Sequence, residues 1–340
     1  GGASMKVTGW LAALAMTIVG LRAPASAEEL VLKFATLDVP QAHLNVRVHH
    51  PWAAKINKEA KGLFKIEVYD GEVLANQGNI YHQVVSNVVQ IGWGLPALAG
   101  KFPLMQVTAL PYVTNTDSEV ASTALWRLYK SGLLDQEFNE VVPLKLIVFP
   151  QSGLQFRKQP RTLDNLDGLK IIAGSRIASD IVQRLGGAPL SFRIDQYYET
   201  LQRGTADGAL IGWTAFQPFK LAEVTHYHLD VPLGGETGYI FMARKEWNSL
   251  PESVRKILAA NSGEPESRAF GRFWDQVVRE GEQDTLKRPG HTLLHLTAAQ
   301  EQKWHDGIAP IAAQWAKSMP NGDKVLATWK ELLAKSKTGS

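Results

Sequence analysis

A two-lobe α/β fold is what this sequence predicts, on three observations. The chain has 340 residues, too long for one ordinary domain and suited to two. Short apolar, strand-like runs alternate with amphipathic helical stretches in two successive series, the rhythm of largely parallel sheets. The tripeptide Ile-Gly-Trp occurs twice, at Ile91-Gly92-Trp93 and Ile211-Gly212-Trp213, each copy ending an apolar run that follows a helix. A tryptophan-rich chain repeats a tripeptide by chance, so the flanking sequence has to carry the weight. Where it does, two half-sites face each other across one cleft, the layout of a clamshell.

Leu30 to Ala35 reads as a buried strand and Lys65 to Tyr69 as another. Between them Val48, Trp52 and Ile56 recur at helical spacing, with Pro51 starting or bending that helix. Ile80, Val84, Val85 and Val88 form the apolar face of a second helix, which delivers the chain into Val89 to Trp93. Leu144 to Phe149 begins the second series, and Leu169 to Ile172 is its next strand. Ile177, Ile181, Val182 and Leu185 face one side of a helix that stops at Gly186-Gly187. Tyr197, Tyr198 and Leu201 belong to a short helix ended by Gly204, and Ala209 to Ile211 reaches the second Gly-Trp.

After Tyr239 the pattern turns helical. Ser249-Leu250-Pro251-Glu252 reads as a capping box for a helix running to Asn261, interrupted by Gly263 and Pro265. Ser267 to Leu286 is a further helix. Thr297 to Gln300 caps another through Trp304, Ile308, Ile311 and Trp315, and a last one follows the Asn321-Gly322 turn, over Lys324 to Ala334. Helices this long exceed the needs of one small lobe, so one is expected to cross between lobes.

The amino-terminal segment reads as a targeting signal. Lys6 supplies a positive start, Trp10 to Leu21 is apolar but short for a bilayer span, and Ala25-Ser26-Ala27 is an A-x-A cleavage site. An uncleaved anchor is the rival reading, and Gly1 to Ser4 stand ahead of the expected start at Met5. The formal charge is +3, and two of the cations, Lys6 and Arg22, lie in the segment expected to be removed. No basic run interleaved with aromatics suggests a nucleic-acid groove. The chain has no cysteine, which excludes disulfides and thiolate metal sites within it. An exported chain of this kind fits the periplasm.

Catalytic signatures are missing: no G-x-S-x-G, no P-loop, no H-E-x-x-H and no dinucleotide fingerprint. His226 and His228 lie two apart, as a metal pair on one strand face would, but solvated or capping histidines are the commoner outcome. No cofactor and no metal is expected.

Against this background a family resemblance stands out. Gln90 to Gly94, Gly100-Lys101-Phe102-Pro103-Leu104 and Leu110-Pro111-Tyr112 resemble the solute-binding proteins of TRAP transporters. Leu163 to Lys170 (LDNLDGLK), Tyr198 to Gly208 (YETLQRGTADG) and Ile240 to Pro251 (IFMARKEWNSLP) match further family stretches in the expected order. The resemblance implies a two-lobe periplasmic-binding-protein clamshell with a long helix spanning both lobes. Residues 28–150 with about 238–290 would form lobe I, and 151–237 with about 291–340 lobe II, after a signal peptide at 1–27. It implies a monomer that closes on a small organic acid, does no chemistry on it, and delivers it to the membrane subunits of a TRAP permease. A periplasmic enzyme on the same scaffold, or a sensor for a membrane signalling protein, are the alternatives.

Departures from the family pattern narrow the ligand. Its usual arginine, which grips a ligand carboxylate with two parallel hydrogen bonds, is replaced by Ile172. A second arginine of some members falls near Ser152, and a common asparagine near Ile211. The cleft is therefore expected to be apolar, with Trp93, Trp213 and Phe216 as walls for an aromatic acid or a short 2-oxo or 2-hydroxy monocarboxylate. Another cation must then hold the acid: Arg176, ahead of a helix, with Arg157 and Arg193 as further candidates. His43, in the loop after the first strand, and Gln155 complete the candidate ligand-binding set, each with an ordinary capping or surface role as its alternative.

Overall fold

The computed structural model describes residues 1–3 and 29–337, so the targeting segment read at Lys6, Trp10 to Leu21 and Ala25-Ser26-Ala27 lies outside the described residues. The first series opens with β1 (Leu30–Ala35). A widened π turn over Asn45–His49 then runs into α1 (His50–Ala60) just before Pro51, whose missing N–H could not have closed an α turn. Trp52, Ile56 and Ala60 are the buried stripe of α1. After β2 (Phe64–Tyr69) comes α2 (Ile80–Val85), shorter than its apolar spacing predicts. Asn87 takes a left-handed φ of 58° and leaves Val88 49% exposed. β3 (Ile91–Gly94) and α3 (Pro96–Ala99) follow. Then come α4 (Ser118–Lys130), capped by the Asp117 side chain on the Val120 N–H, and β4 (Val141–Val148).

The second series is β5 (Gly153–Phe156), β6 (Lys170–Ala173), α5 (Arg176–Arg184), β7 (Ala188–Leu190), α6 (Tyr197–Gln202), β8 (Gly208–Ile211), α7 (Phe216–Phe219) and β9 (Tyr227–Leu229). The chain then returns through β10 (Thr237–Ala243), α8 (Arg244–Ser249), α9 (Glu252–Ala260) and α10 (Glu264–Leu286). It ends with β11 (Thr292–Leu294), α11 (Ala298–Ile308), α12 (Pro310–Ser318) and α13 (Gly322–Lys337). Two expected helix boundaries are corrected. Ser249 does not form a capping box: its Oγ donates back to the Glu246 carbonyl at 2.7 Å, and Pro251 is itself the N-cap of α9. The helix read through Trp304 and Trp315 is two helices, because Pro310 has no N–H to continue α11.

The strands form two sheets, ordered β2-β1-β3-β10-β4 and β11-β9-β5-β8-β6-β7. Each sheet has one strand reversed against both its neighbours, β10 in the first and β5 in the second. These are the strands the chain enters on crossing from the other sheet. The crossing segments, residues 149–152 and 230–236, are laced together: Phe149 N–H donates to Glu236 O at 2.8 Å and Ser152 N–H to Gly234 O at 2.9 Å. The third link is α10, whose 23 residues span roughly 34 Å at 1.5 Å each. Its first half packs on α4 and β4, and Gly281 lies under the Trp213 carbonyl beyond β8. This is the expected two-lobe α/β clamshell with a helix spanning both lobes.

Behind β4, Glu137 is nearly buried and caps the 3-10 turn at 104–109, accepting the N–H groups of Leu104 and Met105. Burial pushes its carboxyl up to about 7, against those two hydrogen bonds. A folded-state value above the unfolded one means a stabilising contribution that is complete at low pH and lost as pH rises through 7. Glu137→Gln should therefore gain stability relative to the unmodified protein between pH 5 and pH 8, by roughly 2–3 kcal/mol. Urea titrations at the two pH values measure this, and an unchanged difference would refute it.

Candidate functional site

The carboxyl ends of β1, β3, β6 and β8 are where a parallel sheet presents a ligand site. At β3, Trp93 is 3% exposed and its ring lies over Gly238 of β10, where a Cβ would sit 2.5 Å from Cη2. Glycine at 238 thus makes room for the indole. Around it stand His49 at 5.5 Å between centroids, Phe270 at 5.4 Å and Phe149 at 6.3 Å. Beside it, three residues past β1, is Asp38, whose carboxyl is pushed up to about 7 by burial and then by Asp70, with Trp93 pulling the other way.

At β8, Trp213 is 4% exposed, and its Nε1–H donates to Asp230 Oδ1 at 2.9 Å. Phe216 and His228 flank the indole at 4.6 and 4.9 Å. Burial raises the Asp230 carboxyl, opposed by that indole hydrogen bond and by His295. Ile172, at the position of the expected family arginine, is wholly buried in the same cluster as Trp213 and Phe216, and half-buried Ile211 packs against it. Apolar packing fills this end of the second sheet.

The sequence-predicted polar residues land in different places. Arg176 is exposed at the first position of α5, directly after the Ser175 N-cap, which accepts from Ala178 N–H. Gln155 is fully buried behind the wall: its Nε2 donates to Ile211 O at 3.1 Å and its Oε1 accepts from His228 Nδ1 at 2.7 Å. Both ends of the amide are used, so it braces the second Ile-Gly-Trp from the rear. Arg157 is a correction. It follows Phe156 at the far end of β5, with its N–H on Asp207 O and its guanidinium against Gly204, about 13 Å of strand away from Gly153 and the Ile211 wall. Arg193 pairs with Asp195 on the surface. His43 is half-buried and acts on Glu280, which Arg47 grips at 2.9 and 3.2 Å.

His226 and His228 stack with His291 rather than converging on a point. The His228 and His291 planes lie 7° apart, and His228 Nε2 meets His291 Nδ1 at 3.0 Å. Because a carbonyl only accepts, the Ile211 carbonyl fixes the Gln155 amide, which in turn sets the proton on His228 Nδ1. Burial, then the two neighbouring histidines, push His228 down to about 3. Among the described residues no group of His, Cys, Asp and Glu is placed to hold a metal ion.

Other residues at the cleft carry no signal in the sequence. Glu236 is half-buried beside a cavity of about 10 Å³, room for one water, lined also by Ser152, Ser175, Leu210 and Gly234. Burial raises its carboxyl, opposed by a hydrogen bond from Ser175. Phe149, Gln151 and Trp274 join them from the first crossing segment and α10. A larger depression of about 360 Å³ lies on the open surface among Asp195, Tyr198, Lys220 and Glu223, where the Tyr198 hydroxyl donates to Glu223 at 2.9 Å.

Comparison with known proteins agrees with this geometry. The sequence profile of the bacterial extracellular solute-binding proteins, family 7 (DctP), matches residues 38–318. An outer membrane transporter protein, TsaT, of Comamonas testosteroni is 27% identical over 77% of this chain and 78% of its own length. The C4-dicarboxylate-binding periplasmic protein DctP of Rhodobacter capsulatus is 25% identical over 97% of this chain and 98% of its own. A TRAP solute-binding protein of Rhodoferax ferrireducens, solved with copurified benzoate, superposes with a TM-score of 0.84 at 28% identity, covering 91% of this chain and 99% of that one. The chain therefore belongs to family 7 of the bacterial extracellular solute-binding proteins, the DctP family of TRAP-transporter receptors.

Proposed function

We propose that this receptor takes an aromatic monocarboxylate between its lobes and passes it unchanged to a TRAP permease. The observation that carries the reading is the replacement of the family's polar grip by apolar side chains: Ile172 and Ile211 pack with Trp213 and Phe216, and Trp93 stands among His49, Phe149 and Phe270 at the other sheet. The benzoate held by the Rhodoferax ferrireducens relative fits such a wall. A dicarboxylate would leave a second charge unpaired in apolar surroundings, which costs several kcal/mol. Lobe I would comprise residues 28–150 with about 238–290, and lobe II residues 151–237 with about 291–321; α13, expected in lobe II, packs on α4 instead, its Trp329 Nε1–H donating to Thr114 Oγ1 at 3.3 Å. The protein would act as a periplasmic monomer released by signal cleavage, by binding alone.

Trp93, Trp213 and Phe216 form the walls, Gln155 braces Ile211, and His43 stands near the mouth. Arg176 and the first N–H groups of α5 supply positive potential at the lobe II rim. A ligand at 100 times its Kd adds about 2.7 kcal/mol, roughly 5 °C in melting temperature. Benzoate and mandelate should give such a shift and succinate none; a shift with succinate alone would reverse the ligand class. In the same screen Arg176→Ala should weaken benzoate about threefold, the loss of positive potential at the rim rather than of a direct contact.

A further inference from the structure

Some of the buried side-chain polar atoms that lack partners lie around one aromatic patch, while others are scattered on Gln77, Tyr239, Trp315 and Ser336. Among the described residues, Asp38 Oδ2, Gln151 Nε2 and Trp274 Nε1 are buried and unpaired. They ring one aromatic patch. Trp93 is the neighbour of the Asp38 carboxyl, Phe149 lies 6.3 Å from Trp93 and 4.9 Å from Trp274, and Gln151 is two residues beyond Phe149. His49 Nε2 is also unpaired, but it lies wholly buried beneath the rings, with Nδ1 on Asn45.

The scaffold fixes how each group is offered. Leu37 holds a left-handed φ of 65°, unusual for its type, and turns the chain at Asp38. The Asp38 carbonyl accepts from Asn45 Nδ2 at 2.8 Å and from Gly71 N–H at 2.7 Å, which pins the backbone, while the Trp93 indole serves the carboxyl and Oδ2 is left without a partner. Gln151 Oε1 accepts the Gly234 N–H at 3.0 Å across the two crossing segments, so its NH2 points away from that contact. Trp274 rides on the middle of α10, packed with Trp93 and Phe270 in the core beside the first sheet. The three atoms differ in sense: Gln151 and Trp274 only donate there, whereas an ionised Asp38 only accepts.

We propose that the cleft selects an aromatic acid bearing a ring hydroxyl, whose carboxylate accepts from Gln151 and Trp274 and whose hydroxyl donates to Asp38. This rests on the aromatic-acid reading above and adds the substituent. Two fixed N–H donors stand in for the missing guanidinium, and each unpaired atom acquires the partner its chemistry requires. An unsubstituted acid satisfies the donors but leaves Asp38 Oδ2 buried without a donor. Burial, then the Asp70 charge, raises the Asp38 carboxyl although the Trp93 hydrogen bond opposes them, and a hydroxyl on Oδ2 would add a second donor.

Calorimetric titration of benzoate, 3-hydroxybenzoate and 4-hydroxybenzoate tests this. At least one hydroxybenzoate should bind about tenfold or more tightly than benzoate. Asp38→Ala should erase that ratio, with circular dichroism and a cooperative melt showing that the variant is folded. Should Asp38→Ala not fold, Asp38→Asn, which keeps the shape and removes the charge, should cut the ratio about threefold or more. Equal affinities in the unmodified protein, or a ratio that survives both substitutions, overturn the assignment of Asp38 and leave the aromatic-acid reading standing. No binding of any of the three acids overturns both.

Discussion

Trp213→Ala is expected to abolish measurable solute binding and to cost about 3–5 kcal/mol of stability. The ring is 4% exposed and wedged between Phe216 and His228, so its loss opens a cavity that those rings cannot refill without breaking the His228 bridge to Gln155. Its N–H is also the hydrogen bond given to Asp230, a carboxyl already pushed up by burial. Removing that donor leaves an acid in apolar surroundings. Trp213→Phe separates the two effects: it keeps most of the volume, loses the donor, and should cost only about 1–3 kcal/mol. Urea unfolding gives the stabilities and calorimetry with benzoate the affinities. A Trp213→Ala protein that still binds normally would make this tryptophan a core plug and remove it from the cleft wall.

Local pattern made much of this fold readable. The helix α5 announces itself by Ser175 at its cap, an apolar stripe and Gly186-Gly187 at its end, and each of these signals acts within a few residues. The twin Gly-Trp was readable for the same reason, since each copy closes an apolar strand. Strand direction was not. β5 and β10 look like any buried strand in sequence, and their reversal follows only from the crossings between sheets. That is why Arg157 reads as a cleft residue although it sits at the wrong end of β5. α4 is quiet because its buried face is built largely from Ser118, Ala121, Ser122, Thr123 and Ala124, which contrast weakly with solvent-facing positions.

At the candidate site the sequence made the burial of the apolar residues readable, and not the partners of the polar ones. A buried tryptophan at a strand end has few places to go, whereas a glutamine reads alike whether it touches ligand or braces a strand. The partner that decides Gln155 is His228, 73 residues away. Asp38, Gln151 and Trp274 come from a loop, a crossing segment and a long helix, and share no spacing. What unites them is that their polar atoms lack partners, a property of packing alone.

Gly271→Ala should destabilise the protein by about 2 kcal/mol or more, although alanine is the better helix former by about 1 kcal/mol. Gly271 is where α10 meets the start of α4: a Cβ there would sit 2.4 Å from the Ser118 carbonyl oxygen and 2.8 Å from the Glu119 Cα. Both obstacles are backbone, so the helices themselves must part. Parting them strains the Asp275 carboxylate, which accepts the Ser118 and Glu119 N–H groups at 2.7 and 2.9 Å, and the Arg272 pair with Glu119. It also reaches the cleft, because Ser122 Oγ accepts the Val148 N–H at 3.0 Å, one residue before Phe149. At its other end α10 lies under Trp213, so a shifted helix moves both walls and should weaken benzoate binding as well as the fold. Gly307→Ala is the internal control. It lies in α11 with nothing within 4 Å of its Cβ position, and propensity alone should make it stabilising by about 0.5–1 kcal/mol. If Gly271→Ala proves as stabilising as Gly307→Ala, the close approach of α10 and α4 is not what sets the spacing of the two lobes.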